Sequence, residues 1–346
     1  MIGLLGFAVI FGTGRWLAWP VRWVWLMAWG WLLVLLLAHA PYLPPELGAF
    51  VGGDFRGWFV LGVLAALWLG YRAGLRRVRR RVTHDPVVAS KSAAFSPVEL
   101  DRYARHIMLR EIGGPGQKRL KAANVLVVGA GGLGSPLLLY LAASGVGVIG
   151  VIDGDIVEGS NLQRQIIHAD ARIGMPKVFS AEVAMKAINP FIEVRPYHRR
   201  LDEATAASLI ADYDLVLDGT DNFDTRYLVN RVCASLGKPL IAAAITQWEG
   251  QISLYDPAAG GPCFECVFPQ RPAPGMVPTC AEAGVAAPLP GVIGAIMAME
   301  AVKHITDAGE GLRGRLMIHD ALYAETRMIG VKRREGCAAC GAQSGK

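Results

Sequence analysis

The chain has 346 residues, 53% of them hydrophobic and 18% charged, with a formal net charge of +6. That length accommodates about two domains, the composition is apolar for an ordinary soluble protein, and six cysteines are too few for a disulfide scaffold. The positive charge does not point to nucleic acid: Arg72, Arg76, Arg77, Arg79, Arg80 and Arg81 alone amount to the excess, and they directly follow an apolar segment, as a cytoplasmic membrane flank does.

The excess of apolar residues is local. Eight of the nine tryptophans lie between Trp16 and Trp68, beside apolar runs, a pattern that membrane interfaces favour. Residues 1–82 are therefore expected to form a membrane anchor of two transmembrane helices, about residues 23–40 and 55–71. The first run, Trp23 to Ala40, would be about 27 Å long as a helix, against a hydrocarbon core of about 30 Å. The second, Gly57 to Tyr71, is shorter. A competing reading makes the first run a signal peptide, because Arg15 and Arg22 precede it and Ala38-His39-Ala40 resembles a small-residue cleavage site. In both readings the arginine cluster stops transfer and leaves the following domain on the cytoplasmic face of the cytoplasmic membrane.

Residues 83–97 read as a polar linker with Pro86 and Pro97 as breakers. A second domain, residues 98–346, follows. Ser96-Pro97-Val98-Glu99 is a cap-like start to a helix carrying Tyr103, Arg105 and His106. Val125 to Val128 are aliphatic without interruption, as a strand buried on both faces requires. Gly129-Ala-Gly131-Gly132-Leu-Gly134 follows at the spacing of a nucleotide-binding turn, which presents a helix N-terminus to phosphate; Pro136 suits the first turn of that helix. Asp153 ends the next apolar strand, Val148 to Ile152, where an acidic side chain accepts hydrogen bonds from ribose hydroxyls.

Pro176 and Lys177 then open a helix that Asn189-Pro190 closes. Strand-like Val194 to Tyr197, a helix near Ala204 to Ala211, and strands Leu215 to Leu217 and Leu240 to Ala244 continue the alternation. Gln251 to Tyr255 and Leu316 to Ile318 read as later strands, separated by a Gly/Pro-rich excursion and a helix from Gly291 to Ile305. The expected fold class is α/β, a Rossmann-like doubly wound, mostly parallel sheet extended by later antiparallel strands.

Arg164 and Lys177 place two cations near the glycine turn, which suits a triphosphate; a solvated surface pair is the bland alternative. Leu217-Asp218-Gly219-Thr220-Asp221-Asn222 lies at the C-terminal end of a strand, where ligands of wound sheets collect. Asp221 is placed to supply magnesium with a carboxylate, although Asp218 or Asp221 could instead cap the next helix. Cys263-x-x-Cys266 and Cys337-x-x-Cys340 supply four thiolates, enough for a tetrahedral zinc site, with redox thiols as the alternative. Cys233 reads as a core residue. His106, His168 and His304 have no partner pattern that marks them as catalytic.

Over residues 99 to 340 the chain resembles the MoeB/ThiF family of adenylating enzymes, relatives of ubiquitin-activating enzymes. The stretches that carry the resemblance are Arg102-Tyr-Ala-Arg105-His-Ile, Gly129-Ala-Gly-Gly-Leu-Gly134, Asp153-Gly-Asp155, Ser160-Asn-Leu-Gln-Arg164-Gln, Pro176-Lys177, Thr220-Asp221-Asn222, Thr279-Cys280-Ala-Glu-Ala-Gly284 and both cysteine pairs. The resemblance implies that ATP and Mg²⁺ adenylate the C-terminal glycine carboxylate of a small ubiquitin-like carrier ending in Gly-Gly, releasing pyrophosphate. It also implies that Asp153 holds the ribose, Asn161, Arg164 and Lys177 the phosphates, and Asp221 the magnesium, with Asn222 beside it in the nucleotide site. Arg105 would reach the triphosphate of the neighbouring subunit in a homodimer. Cys280 is open between a covalent link to the carrier, as in ThiF-like members, and a thiol that adenylation does not need.

Two rivals stand beside this reading. The glycine turn alone also permits an NAD-dependent oxidoreductase, which leaves Arg164, Lys177 and the Thr220-Asp221-Asn222 turn without work. A non-catalytic membrane adaptor retaining the fold is the other. Lys346 follows soon after the second cysteine pair, so any sulfur donor is expected to be a separate protein.

Overall fold

The structure is a computed structural model that describes residues 2–16, 19–40, 43–82, 94–272 and 283–341. The chain divides into two units, Met1–Asp85 and Pro86–Lys346.

The second unit is built on one eight-stranded sheet. Its strands are β1 (Asn124–Val128), β2 (Val148–Ile152), β3 (Glu193–Tyr197), β4 (Leu215–Asp218), β5 (Leu240–Ile245), β6 (Glu249–Tyr255), β7 (Arg315–Asp320) and β8 (Glu325–Gly330), in the order β3-β2-β1-β4-β5-β6-β7-β8. The first five are parallel, and β6, β7 and β8 add antiparallel, as expected.

Alternate residues of β1 supply both cores. Val125 and Val127 join the cluster containing Leu137 and Leu141 of helix α7 (Gly134–Ser144) and Ile293 and Met297 of helix α12 (Leu289–Thr306). Leu126 and Val128 join the cluster on the opposite face, with Ile210 of α9 (Glu203–Ala211) and Val229 of α10 (Phe223–Leu236). A strand covered by helices on both sides has no solvent face, which is why its sequence does not alternate in polarity.

The order reverses at β1, flanked by β2 and β4. Val128 pairs with Ile152 on one side and with Asp218 on the other, so the three strands end level. Gly129, Asp153 and Gly219 consequently leave the sheet side by side, at the switch point where wound sheets bind ligands.

Helix α5 (Pro97–Ile107) starts with the expected capping box: the Ser96 side chain accepts from the Glu99 amide, and the Glu99 carboxylate accepts from the Ser96 amide. Asn189 ends α8 (Lys177–Ile188) and donates from Nδ2 to the Tyr103 hydroxyl at 2.8 Å, tying α5 to that corner. Strand β8 was not expected. All six of its residues are exposed, so no buried face imprints a pattern on Glu-Thr-Arg-Met-Ile-Gly.

The first unit consists of α1 (Ile2–Trp16), α2 (Val21–Ala38), α3 (Pro45–Val51) and α4 (Phe55–Val82). The expected pair of membrane-spanning helices is not supported: among the described residues, no helix is long and apolar enough to cross a membrane. The apolar part of α4 is confined between Arg56 and Arg72, short of the roughly 20 residues a span needs. Leu32, Leu35, Val51 and Trp58 instead form a small shared core, and the Trp31 and Trp58 indoles donate to the carbonyls of Gly3 and Gly52. Most of residues 83–97, the expected linker, lie outside the described residues.

Candidate functional site

The glycine turn is shaped by contacts that exclude side chains. Gly129 has φ +95°, and a Cβ there would meet the backbone of Gly219 and the methyl of Thr220 at 3.4 Å. A Cβ on Gly134 would lie 2.1 Å from the Gly129 carbonyl oxygen, so the turn closes only with glycine. Gly132 faces Pro290 of α12 and the stem of Arg164, while Gly131 faces the Gln165 amide. The turn of residues 219–220 thus packs directly against the glycine turn, and Arg164 stands beside it.

Asp153 organises this corner. Its Oδ2 accepts from the Ala130 amide and its Oδ1 from the Asp155 amide, both at 2.8 Å. Burial raises the Asp153 pKa above the usual carboxylate value, against the opposing pull of those amides and the Lys177 charge. Each oxygen keeps a second lone pair, which a ribose hydroxyl can use.

Lys177 is buried at the start of α8, and its Nζ lies 3.0 Å from Asp155 Oδ2. A cleft of about 340 Å³ opens there, lined by Gly154, Asp155, Ile156, Glu158, Asn161 and Lys177. Asn161 is buried and accepts from Gln165 Nε2 at 3.0 Å, which leaves its own amide as a donor. Arg164 donates to the Ser160 carbonyl at 3.1 Å.

At the end of β4, Asp218 and Asn222 have structural work. Asp218 is wholly buried, and its Oδ1 accepts from both the amide and the hydroxyl of Thr220. Arg226 lies 3.9 Å from the other oxygen and donates to the carbonyls of Thr220 and Ala243. The cap of α10 is Asn222, whose side chain accepts from the Thr225 amide at 2.9 Å, rather than Asp218 or Asp221. A nucleotide-binding role for Asn222 must therefore coexist with that cap. Asp221 is exposed next to Thr220; its carboxylate suits a hard cation that takes its other ligands from phosphate and water.

The two cysteine pairs meet although 74 positions separate them. Sγ of Cys263 lies 3.6 Å from that of Cys337 and 3.7 Å from that of Cys266, and Cys266 lies 3.5 Å from Cys340. All four ligand atoms fall within 4.8 Å of one another. An ion about 2.3 Å from each sulfur of a tetrahedron separates the sulfurs by about 3.8 Å, so the set fits zinc. Burial resists ionisation of Cys337, but the amides of Cys340 and Ala339, together with hydrogen bonds from the Cys263 and Cys266 thiols, bring its pKa down to about 7. Asn230 of α10 braces the group, donating to Glu265 and accepting from the Phe264 amide. Cys233 is a buried core residue on the same helix, its thiol pushed up by burial.

Arg105 is exposed on α5, and Cys280 lies outside the described residues. Sequence reasoning gave no role to Asp155, the ion-pair partner of Lys177, or to Arg226. It also gave none to His168, although His168 ends the same run that contains Asn161 and Arg164. His168 is buried; its Nε2 lies 3.0 Å from the Ala130 carbonyl oxygen and its Nδ1 lies 2.9 Å from Ser180 Oγ.

Comparison with known proteins gives the chain's family. Residues 103–339 match the ThiF family. The chain is 47% identical over 247 residues to a sulfur carrier protein adenylyltransferase of Thermus thermophilus, covering 70% of this chain and 91% of that protein. It is 46% identical over 248 residues to the SAMP-activating enzyme E1 of Haloferax volcanii, covering 72% and 91%. Among solved structures, E. coli MccB with ATP superposes with a TM-score of 0.61 at 25% identity, covering 69% of this chain and 74% of that one.

Proposed function

The chain belongs to the ThiF family, and from that premise we propose that it adenylates the C-terminal glycine carboxylate of a small ubiquitin-like sulfur carrier with ATP. The observation that carries the reading is the convergence at the switch point. The glycine turn, Asp153, the Arg164 stem and the 219–220 turn meet in direct contact, with the Lys177 cleft opening beside Asp153. An NAD-dependent dehydrogenase has no use for the two cations or for Asp221, and the relatives named above are adenylyltransferases or activating enzymes.

A carboxylate is already a nucleophile, so the reaction needs no general base. One carrier carboxylate oxygen forms a bond to the α-phosphorus, the bond from that phosphorus to the bridging oxygen of the β-phosphate breaks, and pyrophosphate leaves with the electron pair. Alignment and charge neutralisation carry the rate. Asp153 accepts from the ribose; Asn161 donates to phosphate oxygens; Arg164 and Lys177 offset the charge that gathers on the leaving group. Asp221 would hold Mg²⁺, which would offset the phosphate charge that the incoming carboxylate meets. The four cysteines would hold Zn²⁺ as a structural clamp, with no part in the chemistry.

Arg105, exposed on α5, completes the phosphate site of a second copy in a homodimer; the family resemblance supports this, as does a guanidinium with no hydrogen-bond or ion-pair partner among the described residues. The first unit gives a separate reason for a location at the cytoplasmic membrane face. Leu4, Leu5, Trp16, Leu26, Leu64 and Leu67 all turn large apolar surface outward, more than isolated surface residues explain, and the basic run after Arg72 suits anionic headgroups. Flotation of the full chain with anionic vesicles tests the location; recovery only at the bottom of the gradient refutes it.

The decisive experiment offers purified carriers ending in Gly-Gly and follows exchange of labelled pyrophosphate into ATP. Exchange that depends on one carrier and on its terminal carboxylate is expected. Binding of a carrier without exchange would favour the non-catalytic adaptor.

A further inference from the structure

Ala130 is held on both sides. Its amide donates to Asp153 Oδ2 and its carbonyl oxygen lies 3.0 Å from His168 Nε2. A carbonyl oxygen can only accept, so Nε2 carries the proton. Burial, with Lys177 and Arg172 nearby adding repulsion, brings the His168 pKa down to about 4 even though the Ala130 hydrogen bond favours the cation. The ring is therefore neutral at pH 7, Nδ1 is its acceptor, and the Ser180 hydroxyl donates to it at 2.9 Å. Ser180 is wholly buried on α8, the helix that Lys177 begins.

The consequence lies in the next peptide group. The Ala130–Gly131 bond is trans, as every described peptide bond is, and in a trans peptide the carbonyl and the following N–H point in opposite directions. With the Ala130 oxygen directed into the protein at His168, the Gly131 N–H is directed the other way. Gly131 is only half-buried, so that direction leads out of the turn, toward the side on which a helix N-terminus receives phosphate. We propose that His168 is a positioning residue for nucleotide: it locks the Ala130–Gly131 peptide so that the Gly131 N–H faces the phosphates, and through Ser180 it sets that peptide against the helix bearing Lys177.

This inference rests on the adenylation reading, and its test separates the two. Dissociation constants for ATP with magnesium, and for adenosine, are measured on the full chain and on His168→Leu, His168→Gln and Ser180→Ala. Glutamine keeps an N–H donor that reaches about as far as Nε2; leucine keeps none. The loss of one hydrogen bond to a charged group weakens binding about tenfold. His168→Leu is therefore expected to bind ATP about tenfold less tightly, His168→Gln to recover to within about threefold, and Ser180→Ala, which frees the ring to turn, to lie between them, with adenosine affinity unchanged throughout.

Folded His168→Leu that binds ATP as tightly as the wild type overturns the proposal, and so does an equal loss for ATP and adenosine, which marks a general loosening of the pocket. If His168→Leu does not fold, Ser180→Ala decides alone: wild-type ATP affinity in that variant overturns the proposal. A wild-type chain that binds no ATP refutes the adenylation reading and this inference together, whereas wild-type binding with an unaffected leucine variant refutes only the role of His168.

Discussion

Lys177 Nζ lies 3.0 Å from Asp155 Oδ2, a pair in which the lysine side chain is 8% exposed and the aspartate 54%. A buried cation with a half-exposed partner is poised to exchange that partner for an incoming anion. Replacing Lys177 by Ala is expected to reduce pyrophosphate exchange by about 10²-fold, the usual scale for removing one preorganised electrostatic contact. Asp155→Asn removes only the counter-charge and is expected to lower exchange by no more than about tenfold. Exchange assays at saturating carrier test both, and wild-type rates in Lys177→Ala would take the lysine out of the reaction.

Gly134→Ala places a methyl 2.1 Å from the Gly129 oxygen. Neither atom belongs to a flexible side chain, so the turn itself must open. We expect a loss of about 1–3 kcal/mol in urea unfolding, the range for forced overpacking, together with loss of ATP binding. Gly114→Ala is the control, since nothing lies within 4 Å of a Cβ there.

Metal analysis of protein purified without chelator is expected to find about one zinc per chain, and Cys337→Ser to lose it. Because the four sulfurs tie α11 (Phe264–Val267) to the segment beyond β8, thermal unfolding of the zinc-free protein should begin at lower temperature. Equal melting with and without the ion would make the cluster dispensable for the fold.

Acid should weaken the fold through His168. Its folded pKa of about 4 lies below the roughly 6.5 of an unfolded histidine, so between those values the unfolded chain binds more protons. Its contribution is thus constant above about pH 6.5 and declines as the pH falls toward 4. Lys177 and Arg172 are the charged groups that add to the shift. Urea midpoints for wild type and His168→Gln measured across that range should converge in acid; parallel curves would mean that the histidine is not responsible.

The parallel half of the sheet was legible because burial on both faces leaves an unbroken aliphatic signature in Val125 to Val128 and in Leu215 to Leu217. The site was legible where chemistry demands one residue type: glycine at 129 and 134, cysteine in pairs. It was illegible where a side chain's task depends on what the fold brings opposite. Asn222, expected in the nucleotide site, also caps α10, a second task that its sequence context did not announce, and His168 reads as idle until Ala130 and Ser180 are seen on either side of its ring. The first unit misled for a related reason. Apolar residues at every position of a short helix suit a lipid-spanning rod and a small helical cluster equally, and spacing between Arg56 and Arg72 favours the second.

The cysteine cluster also sets an order of events during synthesis. The first pair emerges 74 positions ahead of the second, and β7 and β8 are made in between. All eight strands therefore exist before the second pair does, so the clamp, with any metal it holds, can close only on a sheet whose every strand has already been made.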